Sequence, residues 1–495
     1  ASSGDYPRGY AVFVSDNGTN WGSAIATGSD SNSTTEITFN DVTASHIRIE
    51  QTGSTSRLWW SIHDLSVSLE DDTTVPPTDW TVSSMQELHD AVQRSNQDIV
   101  MRPGNYTIAD LDEDDQYFRV SGDNNTIDLT GVYIEFPVHL AARVAHFRFE
   151  GEGNTLIGGT IENTYRSGIT EVTDYVSYNQ DRTYLARGGK PHMVIAGDDT
   201  TILGTKMIVR GSFPYGYGSY FGIGGNNTYG LSKRGGIQIN STNTILDGVE
   251  LYMEAFSHGI YIGPGEGAVS DNTIIRNTRV EGIIRPTNEM LAEGVGGLMY
   301  LNDYRDNDGN PIPANDAESL SEDGIRTYPD AGSVFVEDSV VKGMRGGMRL
   351  YNASFASVKN SISIDNRLSN FQMSRDGEVE SSTANFTYGP AIWVSNFKQN
   401  QDIDITLLPS PNAIGEHNIA DIDREGNTII LRRSPGPLDS DEDRVILVSA
   451  DNSDITNYTE YTIELESGTS GNNVTSAGRV IDNGSNNVTL IDLDL

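Results

Sequence analysis

Four short phrases of the chain repeat one pattern: Gly235-Gly-Ile-Gln-Ile-Asn240, His258-Gly-Ile-Tyr-Ile-Gly263, Asp323-Gly-Ile-Arg-Thr-Tyr328 and Gly346-Gly-Met-Arg-Leu-Tyr351. Their common glycine stands at 236, 259, 324 and 347, with separations of 23, 65 and 23. Two equal steps around one insertion define a rung, and rungs this short signal a parallel β-helix. A second phrase, Asn-Thr-Ile/Leu and close variants, recurs at 124, 154, 200, 243, 272, 427 and 487. Each rung should turn Ile, Val and Leu inward and place Asn and Gly at its corners. The expected fold is all-β: a parallel β-helix of about 23-residue rungs over 80–495.

Composition narrows the partners. Lys and Arg number 33 against 70 Asp and Glu, a net charge of -37 over 495 residues. Phosphate binding needs a basic surface, so nucleic acid is not expected as a partner, nor an anionic membrane face. No run of 18 apolar residues is present to span a bilayer. The absence of cysteine removes disulfides and thiolate metal sites. Such acidity suits salty, marine water, and a secreted, extracellular monomer is expected. The opening ASSGDYPRGY has no Met and reads as the product of processing or truncation.

Residues 1–70 alternate as strands at Tyr10–Val14, Glu36–Phe39, His46–Glu50 and Leu65–Leu69, separated by turn-rich segments. Residues 71–79 are charged and Pro-containing, a linker by composition. Ser84-Met-Gln-Glu87 has the capping-box pattern and should open a short helix through Leu88, Ala91 and Val92. A helix here would cap the first rung, whose core must not be exposed. The segments PRGYAVFVSDNGTNW (7–21), SHIRIEQTGS (45–54) and LWWSIHDLSVSL (58–69) resemble the discoidin, or coagulation factor 5/8 type C, family. The resemblance implies part of a carbohydrate-binding β-sandwich jelly roll, its second half. Residues 80–495 resemble the pectate-lyase-like superfamily of right-handed parallel β-helices, which implies a fold shared by lyases, glycosidases, epimerases and phage tailspikes.

Stacking the four glycine phrases places residues of equal offset above one another. One column reads Gln238, Tyr261, Arg326, Arg349, and another Asn240, Gly263, Tyr328, Tyr351. The residues between them are mostly apolar, so both columns should face outward on one sheet. His258 and Asp323 would stand at the strand entrances, beside two arginines and two tyrosines. Arginine recognises carboxylate or sulfate bidentately, and tyrosine rings stack on sugars. The plain alternative is a solvated face held by Arg–Tyr stacking.

Two insertions border this face. Residues 285–321 break the rhythm and bring Arg285, Glu289, Glu293 and Tyr300. The segment near 210–230 sets Tyr215 and Tyr217 between glycines, ahead of Lys233 and Arg234. SFPYGYG (212–218), HGIYI (258–262), VEGIIRPTNEMLAE (280–293) and EDGIRTY (322–328) together resemble a group of secreted β-helix proteins, which implies one shared site.

Two reactions suit these residues. In β-elimination at a uronate, Arg326 or Arg349 would neutralise the carboxylate, and His258, Tyr328, Lys233 or an arginine would be the base. In hydrolysis, Asp323, Glu322, Glu293 or Glu289 would supply the carboxylate pair, although Glu322 and Asp323 as strand neighbours should not face one cleft together. The expectation is a polysaccharide lyase acting on an anionic polysaccharide. A glycoside hydrolase acting on a sulfated polysaccharide such as a fucan or carrageenan is the alternative, and a non-catalytic adhesin the reading from another class. Calcium at the oxygen-rich Asp306-Asn-Asp-Gly-Asn310 is a further candidate, without the full EF-hand spacing.

Overall fold

The structure is a computed structural model. It describes 80–491 apart from 113–116, 138–146, 165–189, 211–233, 264–269, 293–312, 396–398 and 436–443, together with 7–15, 20–29, 46–54 and isolated residues between them. The chain divides into two compact units, Ala1–Val75 and Pro76–Leu495.

In the first unit, Tyr10–Ser15 pairs antiparallel with both Ala26–Gly28 and His46–Gln51. The strand expected at Glu36–Phe39 is not formed, since 37–39 carry no strand. A strand at Ala26–Gly28 takes the free edge instead. The expected strand at 65–69 lies outside the described residues.

The second unit is a parallel β-helix. Among the described residues, one ladder system of 22 strands and one sheet of 13 strands run its length, every pairing in them parallel. Each middle rung supplies one strand to the 13-stranded front sheet and two to the back. Arg234–Ile239 is followed by Ile245–Asp247 and Glu250–Met253, and the next front strand is Ile260–Ile262. The core position of the front sheet passes through Ile237, Ile260, Ile325, Met348 and Phe371, in register from rung to rung. All five are shut off from solvent. Alternation therefore turns their neighbours outward.

The recurring glycine has a steric cause. A Cβ at Gly324 would lie 2.2 Å from Val341 Cγ1, and one at Gly347 would lie 2.1 Å from Ser363 Oγ. The back strands approach so closely at this corner that no side chain fits. The recurring Asn and Ser have a polar one. Corner N–H groups fall outside the ladder and need acceptors. Gln401 N–H donates to Asn427 Oδ1 (2.9 Å), Asn427 to Ser453 Oγ (3.3 Å), Ser453 to Asn472 Oδ1 (3.0 Å) and Asn472 to Asn487 Oδ1 (3.0 Å).

Helix Met85–Val92 closes the first rung, burying Met85, Leu88, Ala91 and Val92. Ser84 Oγ accepts from Glu87 N–H, while the Glu87 carboxylate reaches one residue further back, to Ser83 N–H at 2.7 Å. His89 is buried and packs edge-on against Phe118.

Four long segments, 138–146, 165–189, 211–233 and the 285–321 insertion, occur at one point of the rung, between the last back strand and the next front strand. The insertion is pinned at its base. Ile284–Pro286 pairs antiparallel with Ala317–Ser319, and Thr287–Ala292 is helical. Arg367 clamps this base through Asp316 (3.3 Å) and Glu318 (2.8 Å).

Candidate active site

The outward column of the front sheet pairs Gln238 with Tyr261, Tyr261 with Arg326, and Arg326 with Arg349. The two arginines are on adjacent rungs. The column continues to Gln372, opposite Arg349. The phrase there, Ser369-Asn-Phe-Gln372, has Asn in place of the glycine.

Asp323 is the hub. It is fully buried at the start of strand Asp323–Thr327. Arg349 Nη1 approaches its two oxygens at 3.1 and 3.3 Å, and Arg345 Nη2 at 3.4 and 3.5 Å. Arg326 Nη1 and His258 Nδ1 each stand 3.5 Å away. Burial pushes the carboxyl up, but the guanidinium groups of Arg349, Arg345 and Arg326 outweigh it and hold Asp323 far below the usual range. A carboxylate so buried and so firmly ionised neither meets a glycosidic bond nor gives it a proton, so the structure removes Asp323 as a general acid.

Glu322 corrects a second expectation. It precedes the strand, so strand alternation does not apply to it. Its Oε1 lies 3.5 Å from Arg345 Nη1 and its Oε2 3.5 Å from His258 Nε2. Glu322 and Asp323 thus share the same two partners, rather than flanking a cleft from opposite sides.

His258 is oriented by the backbone. Asp323 N–H donates to its Nδ1 at 3.2 Å. An N–H can only donate, so Nδ1 carries a lone pair and the neutral ring bears its proton on Nε2. That nitrogen stands 3.0 Å from the Tyr328 hydroxyl, to which it donates. Burial lowers the imidazole below its ordinary value, with Glu322 and Asp323 pulling the other way. This geometry gives His258 no free lone pair for a substrate proton, which corrects its expected role as base. It is a donor behind Tyr328.

Tyr328, Arg326, Arg345 and Tyr351 are the partly exposed members of the cluster. Burial raises the Tyr328 phenol, Glu322 raises it further, and Arg326 opposes both. The Arg326 guanidinium lies over the Tyr351 ring at 4.4 Å and 5.6 Å from the centre of the Tyr328 ring. Arg326 Nη2 donates to the Tyr351 hydroxyl. Its Nε and Nη1, both withdrawn from water, make no hydrogen bond among the described residues. Three guanidinium groups against two carboxylates leave the cluster with one surplus positive charge, in a chain of net charge -37.

The remaining expected site residues lie further out. Tyr261 is buried, its ring 5.9 Å from that of His258, and forms a wall. Gln238 is partly exposed one rung before Tyr261. Arg234 has no solvent exposure and lies against Asn163 Oδ1 (3.5 Å) and His192 Nδ1 (3.4 Å). Burial lowers it to about 9. As folded it presents nothing to a substrate, contrary to expectation. Arg285 stands in the insertion base, 4.0 Å from Glu289. Tyr215, Tyr217, Lys233, Glu293, Tyr300 and the 306–310 turn lie outside the described residues. Among the described residues, no group of three or more acidic or histidine side chains is arranged to hold a metal ion.

Sequence reading missed Arg345 and Gln372. Arg345 stands two residues before its glycine, in a column that reads Arg234, Ser257, Glu322, Arg345. Stacking that offset would have revealed it. Gln372 Oε1 accepts from Arg349 Nε at 2.8 Å and sets the guanidinium plane, but its phrase lacks the glycine.

No family model matches the chain, and no curated protein does. Among solved structures, the tailspike protein gp208 (Dettilon) aligns at 13% identity over 82% of this chain with TM-score 0.38; this chain spans 66% of that one. PfbA, a surface adhesin of Streptococcus pneumoniae, aligns at 11% identity over 83% of this chain and 89% of its own, with TM-score 0.38. The catalytic domain of a GH87 α-1,3-glucanase aligns at 11% identity over 98% and 86%, with TM-score 0.28. Likenesses this remote carry no activity across.

Proposed function

We propose that this protein is a carbohydrate-active enzyme that cleaves an anionic polysaccharide by β-elimination at a uronate residue. The observation that carries the reading is the Arg326–Tyr328–His258 arrangement. A partly exposed guanidinium borders a phenol whose oxygen receives a hydrogen bond at 3.0 Å from a neutral imidazole.

Arg326 binds the uronate carboxylate and stabilises the negative charge that develops on it when the adjacent C–H bond breaks. Arg349 and Arg345 are committed to Asp323, and they keep the local field positive. Tyr328, as phenolate, takes the proton from C5. The electron pair forms the C4–C5 double bond, the C4–O bond breaks, and the leaving oxygen receives a proton from the phenol. His258 Nε2–H and Arg326 stabilise the phenolate between these events. Hydrolysis would need two accessible carboxylates across the bond. The two in this cluster are buried and side by side.

The test is a panel of uronate-containing and sulfated polysaccharides, read for new reducing ends and for the ultraviolet absorbance of an unsaturated uronate. Both signals together, lost in Tyr328→Phe, are the expected result. Reducing ends without the absorbance would overturn elimination in favour of hydrolysis. Binding without either signal would make the protein a carbohydrate-binding adhesin.

A further inference from the structure

The outward column does not stop at Gln372. One residue beyond the pair Phe371–Ile392, it continues to Trp393, which pairs with Asp421. Ile392, Val394, Ala420 and Ile422 fill the core, so Trp393 and Asp421 face the same side as Arg326 and Arg349. Trp393 is partly exposed, and its Nε1–H donates to Asp423 Oδ2 at 3.1 Å, which fixes the plane of the indole. Asp421 accepts from Asn418 Nδ2 at 2.6 Å. Two rungs separate Trp393 from Arg349, about 10 Å at the spacing of paired strands.

The charge of the face reverses along this line. Arg326, Arg345 and Arg349 make it cationic at the cluster. Asp421 and Asp423 make it anionic at the Trp393 end. Burial raises the Asp421 carboxyl, the Asn418 hydrogen bond opposes this, and the neighbouring Asp423 raises it again; a third carboxylate brought beside these two acids would be repelled. A fixed, partly exposed indole beside carboxylate acceptors suits the apolar face and hydroxyls of an uncharged sugar.

We propose that Trp393, with Asp421 and Asp423, forms a subsite for an uncharged sugar residue on the same chain whose uronate is held at Arg326. This rests on the elimination reading, and it deepens it. The substrate runs along the axis of the β-helix, and its carboxylates are interrupted by neutral residues rather than borne on every one.

Binding separates this from the chemistry. Oligogalacturonate, with a carboxylate on every residue, and hyaluronan oligosaccharides, with one on every second residue, are titrated calorimetrically into the Tyr328→Phe protein. The interrupted chain should bind at least about tenfold more tightly. Adding Trp393→Ala should weaken it about tenfold, Trp393→Phe should retain most of the affinity, and Asp421→Asn with Asp423→Asn should strengthen binding of the fully charged chain. Equal affinities, tighter binding of oligogalacturonate, no binding of either, or indifference to Trp393→Ala would overturn the subsite. None of these readings depends on bond cleavage, so failure of the elimination reading shows separately, as missing unsaturated product from the unmodified protein.

Discussion

The backbone N–H of Asp323 donates to Nδ1 of His258 across adjacent rungs, at 3.2 Å. One main-chain contact thereby selects the imidazole tautomer and aims its remaining proton at Tyr328. The side chain of Asp323 meanwhile gathers three arginines. The same residue thus organises the neutral half of the cluster through its backbone and the charged half through its carboxylate.

Tyr328→Phe removes the proton carrier and leaves the ring in place. The turnover should fall about 10²–10⁴-fold with little change in substrate affinity, measured by unsaturated-product formation and by calorimetry. Because burial and Glu322 raise the phenol, only a small fraction is phenolate at neutral pH. Activity should therefore climb through the alkaline range, about tenfold per pH unit while the group remains well below its pKa. A flat alkaline profile would remove Tyr328 as base.

Asp323→Asn leaves Arg326, Arg345 and Arg349 facing one another without their shared counter-charge. Breaking a buried ion pair from one side costs about 3–5 kcal/mol, which urea unfolding would detect. The folded carboxyl is depressed relative to the unfolded one, so its contribution is complete above the unfolded value of about 4. It is lost as pH falls from there towards the folded value. Acid unfolding should begin below about pH 4 in this component, and the variant should lack it.

His192 and His258 are both buried with lowered pKa, in each case by desolvation first. The unfolded chain binds their protons at about pH 6.5, while the folded chain still resists. Stability should therefore fall as pH drops below about 6.5 towards the folded values, before the Asp323 component begins. His258→Gln should reduce the slope of a plot of unfolding free energy against pH in that window.

Gly324→Ala would place a methyl group 2.2 Å from Val341 Cγ1. Overpacking of this kind costs about 1–3 kcal/mol. A lowered Tm is expected, together with reduced activity, because Gly324 adjoins Asp323. An alanine variant as stable as the parent would mean the corner has room that the packing denies.

The repeat at 236, 259, 324 and 347 already held the helical stacking, because the glycine marks a corner where only a hydrogen atom fits. The Asn-Thr-Ile phrases held the back strands for a related reason: the corner N–H groups need side-chain acceptors. The fixed 23-residue interval was legible only in the middle of the array. Towards the C-terminus the rungs change length, so Trp393 and Asp421 could not be assigned to the column of Arg326 by counting.

The column Tyr261–Arg326–Arg349 was readable in advance, since strand pairing is periodic and side-chain direction follows from it. What no interval could decide was protonation, burial and partnership. Asp323 is an ionised hub rather than an acid because three guanidinium groups, two from the next rung and one from its own strand, converge on it. Arg234 is sealed and Arg326 open, although both are arginines on front-sheet strands, because exposure depends on what packs above each rung. Sequence alone set the ladder and the identities along it, through local sterics and hydrogen-bonding needs. Tertiary structure alone decided which charges meet, because electrostatics depends on distance in space and on the exclusion of water.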